Sequence, residues 1–107
     1  MSNNITEEKI RQVLAKIKHP VIEQNLVKLG IIKDINFDTN ILKILFAFPF
    51  VGKAAKDVSI RDQIITSVLE ELKKLQVKYE LYQTEMNQDE LRIFLATERE
   101  SWDSIAS

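Results

Sequence analysis

The sequence predicts a single α+β domain in which a small sheet of about three strands carries helices mainly on one face. Apolar residues recur at helical intervals in three stretches and alternate with period two in three others. These stretches follow one another in the order α-β-β-α-β-α. A chain of 107 residues has the usual size of one domain, so we expect residues 1–107 to share one core.

The composition is typical of a packed globule and excludes several classes of function. Hydrophobic residues make up 45% of the chain and charged residues 29%, which is enough apolar material for a core. The formal charge is −1, so the chain has no positive excess to attract a phosphate backbone, and we exclude nucleic acid as the main partner. The chain has no Cys, which excludes disulfides and metal sites built on its own thiolates.

The N-terminal sequence predicts a cytoplasmic protein. Residues 1–8 have neither the basic start nor the apolar stretch of a signal peptide. No apolar run approaches the roughly 20 residues that span a bilayer. We therefore expect no membrane partner.

A first helix is predicted over residues 7–18. Thr6 is a suitable N-cap, because its hydroxyl can accept a hydrogen bond from a free amide of the first turn. Pro20 ends the helix, because the residue before a proline is disfavoured in the helical region. Residues 21–30 fit either a loop or a short helical turn, with Gly30 at their end. The apolar stripe of the helix is Ile10, Val13, Leu14 and Ile17.

Two strands are predicted to follow as an antiparallel hairpin. The first starts at Ile31 and places Ile35 and Phe37 on one face. The cluster Asp38–Asn40 is rich in turn formers, so the next run should pair with the first strand. That run is the best candidate for a central strand, and Pro49 ends it. Its predicted core face is Leu42, Ile44, Phe46 and Phe48.

The remaining elements are a long helix, a third strand and a terminal helix. Ser59, followed by Asp62, is the predicted cap of the long helix, whose buried stripe reads Ile64, Ile65, Val68, Leu69, Leu72 and Leu75. Residues 77–83 alternate as a strand that can lie parallel to a hairpin strand through a right-handed crossover. Asn87 and Glu90 form a capping box for the terminal helix. The apolar face of that helix is Leu91, Phe94, Leu95 and Trp102.

One part of the chain resembles a known family. Its residues are His19-Pro20, the run from Leu26 to Ile35, and the strand that ends at Pro49. This arrangement resembles the PaaD-like and SufT-like iron–sulfur cluster assembly family, which also supplies the N-terminal domain of some Mrp-type ATPases. The resemblance covers about residues 6–83 and leaves the terminal helix, 87–107, outside. It implies an iron–sulfur cluster assembly domain fold and a role in maturing iron–sulfur proteins.

Two positions depart from that family. Many members carry a reactive cysteine in the loop after the second strand, where this chain has Pro49-Phe50-Val51-Gly52-Lys53. A cluster or thiol role based on cysteine therefore does not transfer. His19 also replaces the usual acidic residue before Pro20. As a lone histidine it is a poor metal site, and we expect it to serve at a helix end as a cation or donor.

The best candidates for a partner-binding surface lie on the connection after the second strand. Phe50 and Val51 form an apolar pair on a loop, and Gly52 and Lys53 follow them. Gly52-Lys53 is not a phosphate-binding loop, because the first glycine and the final Ser or Thr of that motif are absent. Trp102 has two open readings. It either covers the sheet or anchors the terminal helix in a partner or a homodimer.

No other side chains form a pattern that predicts catalysis, a cofactor or a metal site. Adjacent carboxylates such as Glu70 and Glu71 diverge on a helix, and the serines lack a neighbouring base or oxyanion motif. Phe46 and Phe48 should be core residues rather than platforms for stacking bases. A small-molecule enzyme would need convergent polar groups in a pocket, and the sequence predicts none.

We therefore expect a non-enzymatic accessory factor in iron–sulfur cluster assembly that contacts carriers, scaffolds or client apoproteins. The expected surface is the loop from Pro49 to Asp57 together with the segment from Leu26 to Gly30. The alternative is a structural or regulatory interaction module, dimeric or bound to an unrelated partner, that keeps the fold without a cluster-related role.

Overall fold

The architecture is described here from a computed structural model, for the backbone of residues 6–49 and 55–106 and the side chains of residues 6–49 and 58–100. Within these residues the elements are α1 (Glu7–Leu14), β1 (Ile32–Asp38), β2 (Ile41–Phe48), α2 (Ala55–Leu75), β3 (Lys78–Glu85) and α3 (Gln88–Ala106). The three strands form one sheet in the order β1-β2-β3. The predicted fold class and element order are confirmed.

Helix α1 begins where it was predicted to begin but ends earlier. The Thr6 hydroxyl accepts a hydrogen bond from the Lys9 amide at 3.2 Å, which is the expected N-cap. The helix ends at Leu14, so the prediction that it continues to residue 18 is wrong. Ile17 lies in the turn that follows, where its carbonyl accepts the amide of Leu26 at 2.9 Å. Its side chain still reaches the core, which explains why the apolar spacing continued beyond the helix.

Strands β1 and β2 form the predicted antiparallel hairpin. Ile35 lies opposite Ile44, and a two-residue turn at Thr39 and Asn40 connects the strands. Both turn residues have positive φ, 49° and 63°, as the tight hairpin turn that matches strand twist requires. The register shifts between Ile32 and Asp34, so a bulge bends the start of β1. The period-two alternation of apolar residues alone could not predict this bulge.

Strands β2 and β3 are parallel, as predicted, and α2 is the connection between them. The register runs from Ile41 opposite Lys78 to Phe48 opposite Glu85. Helix α2 begins at Ala55, so the prediction that Ser59 caps it is wrong. Ser59 lies inside the helix, where its hydroxyl accepts a hydrogen bond from the Gln63 side chain at 3.2 Å.

The buried residues of the described chain form a cluster that includes one face of β2. The Phe46 and Phe48 rings stack with their centroids 5.8 Å apart, which confirms that they are core residues. In α3 the predicted apolar face is only partly right, because Phe94 is buried whereas Leu95 is 51% exposed. No helix in the described part of the chain is long and apolar enough to cross a bilayer. The core residues contributed by helices are Ile10, Leu14, Ile64, Val68, Leu72 and Phe94.

The two outer edges of the sheet differ in whether side chains hydrogen-bond to their backbone groups. On β1, the Arg11 guanidinium donates to the Ile35 carbonyl at 2.8 Å, and the Glu7 carboxylate accepts the Phe37 amide at 3.1 Å. The Asp34 carboxylate accepts the Ile35 amide at 2.9 Å. Side chains of α1 and of β1 itself therefore occupy the outer edge of β1. The outer edge of β3 receives no comparable bond from any described residue.

Candidate functional site

The segment of residues 18–31, which joins α1 to β1, contains His19-Pro20 and the first part of the run from Leu26 to Ile35. A bridge between Lys18 and Asn25 closes the first part of the segment into a compact loop. The His19 amide donates to the Gln24 carbonyl at 3.0 Å across this loop. Lys18 and Glu23 form an exposed ion pair at 3.6 Å. Residues 21–30 therefore combine both predicted alternatives, a loop followed by a short turn in which the Leu29 amide donates to the Asn25 carbonyl at 3.2 Å.

His19 organises this loop as a hydrogen-bond acceptor. Its Nδ1 accepts the amides of Val21 and Ile22, both at 3.0 Å. An acceptor at Nδ1 requires the neutral imidazole, and partial burial lowers the pKa of His19 through desolvation, which favours that form. The expected role as a cation or donor at a helix end is therefore wrong. Helix α1 already ends at Leu14, and the groups that face His19 are amides instead of carbonyls.

An acidic side chain at position 19 could make one of the same hydrogen bonds. Asp side chains commonly accept the backbone amide two residues further along, and the turn that results is stabilised by that bond. Val21 stands two residues after His19, and its amide is one of the two that His19 binds. The imidazole thus performs the structural task that a carboxylate could perform in the same loop.

In the second half of the segment, buried leucines alternate with exposed residues. Leu26 and Leu29 have no exposed surface, and the Leu26 carbonyl accepts the amides of both Ile31 and Ile32. The segment from Leu26 to Gly30 stays a predicted contact surface, to which its two buried leucines do not contribute. Val27 and Lys28 are the residues of that run that point to solvent.

Gly30 completes the turn into β1. Its φ is +82°, in the left-handed region that residues with a side chain seldom adopt. A methyl group added there would meet nothing closer than the Met86 Cε at 3.9 Å, so space is available. Backbone conformation, not crowding, is the reason that this position requires glycine.

The upper end of the sheet, where β2 and β3 end and β1 begins, is closed by backbone contacts from three segments. The Ala47 amide donates to the Ile31 carbonyl and the Met86 amide donates to the Phe48 carbonyl, both at 2.8 Å. The predicted partner-binding residues Phe50, Val51, Gly52 and Lys53 lie outside the described residues. So does the side chain of Trp102, whose position falls in α3.

Glu90 ties the start of α3 to β1 at the same end. The predicted capping box is confirmed, with Asn87 and Glu90 bonded to each other's amides at 2.8 and 2.9 Å. Glu90 also pairs with Lys33 at 3.0 Å. The Asn87 amide, together with Lys33, lowers the pKa of the Glu90 carboxyl. The sequence predicted the cap, but the bulge that presents Lys33 left no signal in it.

The exposed apolar residues of this segment stand out. Two large apolar side chains in the segment face solvent, Val21 at 59% and Val27 at 40% exposure. The described residues contain no group of three His, Cys, Asp or Glu side chains that could hold a metal. Among the same residues, each buried polar side-chain atom has a hydrogen-bond partner. The arrangement is therefore suited to apolar contact with another molecule.

Comparison with models of protein families gives a match. A family model described as iron–sulfur cluster assembly protein matches residues 7–78, which is about two thirds of the chain. The match runs from the start of α1 to the first residue of β3 and includes the whole of the segment 18–31. Neither the curated proteins nor the solved structures gave a match.

Proposed function

The chain belongs to the iron–sulfur cluster assembly protein family, and on that premise we propose that it is a cytoplasmic, non-enzymatic accessory factor of the PaaD-like or SufT-like type. It acts by contacting carriers, scaffolds or client apoproteins. Because the chain contains no Cys, it contributes no thiolate to a cluster, and a cluster in transit is ligated by its partners.

One observation carries this proposal. Among the described residues of the matched region, the exposed large apolar side chains include Val21 and Val27, and both lie in segment 18–31. The same segment contains His19-Pro20 and the first part of the run from Leu26 to Ile35, which belong to the resemblance to the PaaD-like and SufT-like proteins. An ordered loop with exposed apolar side chains favours recognition of a protein surface. The loop from Pro49 to Asp57 remains a predicted second part of that surface.

Capture of partners from cell extract tests the proposal with a matched pair of variants. Val21 and Ile93 are both 59% exposed, but Ile93 lies in α3, outside the matched region. We expect the immobilised chain to retain an iron–sulfur carrier, scaffold or client, Val21→Asp to lose it, and Ile93→Asp to keep it. Retention by both variants would remove segment 18–31 from the proposed surface.

A deletion strain tests the biological role. We expect lower activity of iron–sulfur enzymes, restored by the wild-type chain and not by Val21→Asp. Full activity in the deletion strain, together with no cluster-related protein in the captured fraction, would favour the alternative of a structural or regulatory module. The missing cysteine supports that alternative, because it removes the reactive group that many members of the resembling family carry.

A further inference from the structure

Strand β3 presents an edge that is ready to pair with another strand. The Met86 amide donates to the Phe48 carbonyl, and donors and acceptors alternate along a parallel strand. The odd-numbered residues Tyr79, Leu81 and Gln83 therefore direct their amides and carbonyls away from β2. No described residue bonds to these groups, whereas side chains cover the outer edge of β1. Unpaired edges of this length are templates for strand addition.

The sequence of β3 is complementary to itself in one antiparallel register. With a two-fold axis at Leu81, Leu81 faces its own copy, Tyr79 faces Gln83 and Lys78 faces Thr84. Glu80 then faces Tyr82, twice across the axis. No two like charges are opposed. A shift that centres the axis on Glu80 would instead place two carboxylates directly opposite each other, which is unfavourable.

Glu80 and Tyr82 already form a hydrogen bond within one chain. The Tyr82 hydroxyl donates to the Glu80 carboxylate at 2.6 Å, and this bond raises the pKa of Tyr82, so the hydroxyl keeps its proton. The Tyr82 side chain is 50% exposed. The same donor and acceptor are directly opposite each other when two copies of β3 pair about Leu81.

We propose that two copies of this chain associate through antiparallel pairing of their β3 strands about Leu81, forming one continuous six-stranded sheet. Three pairs of residues with outward amides and carbonyls exchange about six backbone hydrogen bonds across the axis. The partner strand is a second copy of β3, because in this register each side chain of one strand lies opposite a complementary side chain of the other. The sequence of an unrelated strand would not be constrained to provide these complementary pairs. This interface uses different residues from the proposed contact surface in segment 18–31.

Solution mass tests the association. We expect the full chain to shift from monomer to dimer as concentration rises in sedimentation equilibrium. Gln83→Pro removes an outward amide without touching the bonds between β2 and β3, because proline is tolerated where an edge amide faces solvent. It should weaken the dimer by about tenfold or more, since one bond per copy is lost. Gln83→Ala, which keeps the amide, should dimerise like the wild type.

Engineered cysteines test the register, and the natural chain has none to interfere. In the proposed register, residues 80 and 82 form a pair without backbone bonds between them, with Cα atoms about 4.5 Å apart, close enough for a disulfide. A mixture of Glu80→Cys and Tyr82→Cys chains should therefore cross-link several-fold faster than either alone. Fastest linking by Tyr82→Cys alone would refute the register, and a monomer at all concentrations would refute the pairing.

Discussion

The loop at His19 makes a quantitative prediction about stability. His19→Ala removes the acceptor for two amides. Val21 is exposed, so water can replace the lost bond there, but Ile22 is buried with 5% exposure and its amide is less accessible. By analogy with the loss of a helix cap and of a partly buried acceptor, we expect a cost of about 1–2 kcal/mol. His19→Asp should retain most of the stability because it can accept the same amides.

The same contact predicts a dependence on pH with a definite sign. The pKa of His19 is lowered from 6.5 in the folded chain by desolvation. As the pH falls below 6.5, the unfolded chain binds a proton that the folded chain resists, so the free energy of unfolding decreases. This loss ends once the pH is below the folded pKa. The contribution is fully present above pH 6.5, and no other histidine titrates there.

Urea denaturation at several pH values between neutral and mildly acidic conditions measures both effects. The wild type should lose stability over this range more steeply than His19→Asp, which carries no imidazole. The adjacent pair Lys18 and Glu23 is present in both chains, so its contribution cancels. The reasoning is refuted if His19→Ala is as stable as the wild type, or if wild type and His19→Asp have the same pH profile.

Three further predictions concern the same end of the molecule. Leu26→Ala should cost about 2–5 kcal/mol in urea denaturation, whereas Val27→Ala, at the exposed neighbour, should cost far less; equal costs would contradict the assignment of Leu26 to the core. Gly30→Ala should cost about 1 kcal/mol from backbone strain alone, and a neutral effect would contradict the positive φ. Glu90→Gln should reduce the loss of stability on acidification below pH 4.5. The pKa of the Glu90 carboxyl is lowered in the folded chain, so its contribution to stability is present above that value and is lost as the carboxyl is protonated. If the acid dependence of stability were unchanged in the variant, the pairing of Glu90 with Lys33 would be contradicted.

Much of the fold could be predicted from local patterns. The caps at Thr6 and Asn87, the hairpin and the parallel third strand each follow from residue spacing and turn chemistry, and each is present. The errors concern where helices begin and end. Ile17 has the spacing of a helix face but reaches the core from a turn, and Ser59 has the chemistry of a cap but lies inside a helix. In the first case a contact outside the helix is visible, because the Ile17 carbonyl accepts the Leu26 amide after the helix has ended.

The candidate site was harder to predict than the fold. Leu26 and Val27 are neighbours of similar chemistry, yet one is fully buried and the other faces solvent. Only the path of the loop decides which side chain points inward. The role of His19 could not be read from the sequence either, because it depends on which of its ring nitrogens meets the following amides.

The covered edge of β1 also determines how far sheet growth can proceed. Pairing through β3 is isologous, and described side chains cover the outer edge of β1, so the assembly closes at two copies. Arg11 and Glu7 occupy groups that a third chain would need at the opposite side. Removing these two side chains would expose the outer edge of β1, so that chains could pair through both edges and extend into a fibre. Two surface side chains of α1 therefore protect the protein against polymerisation.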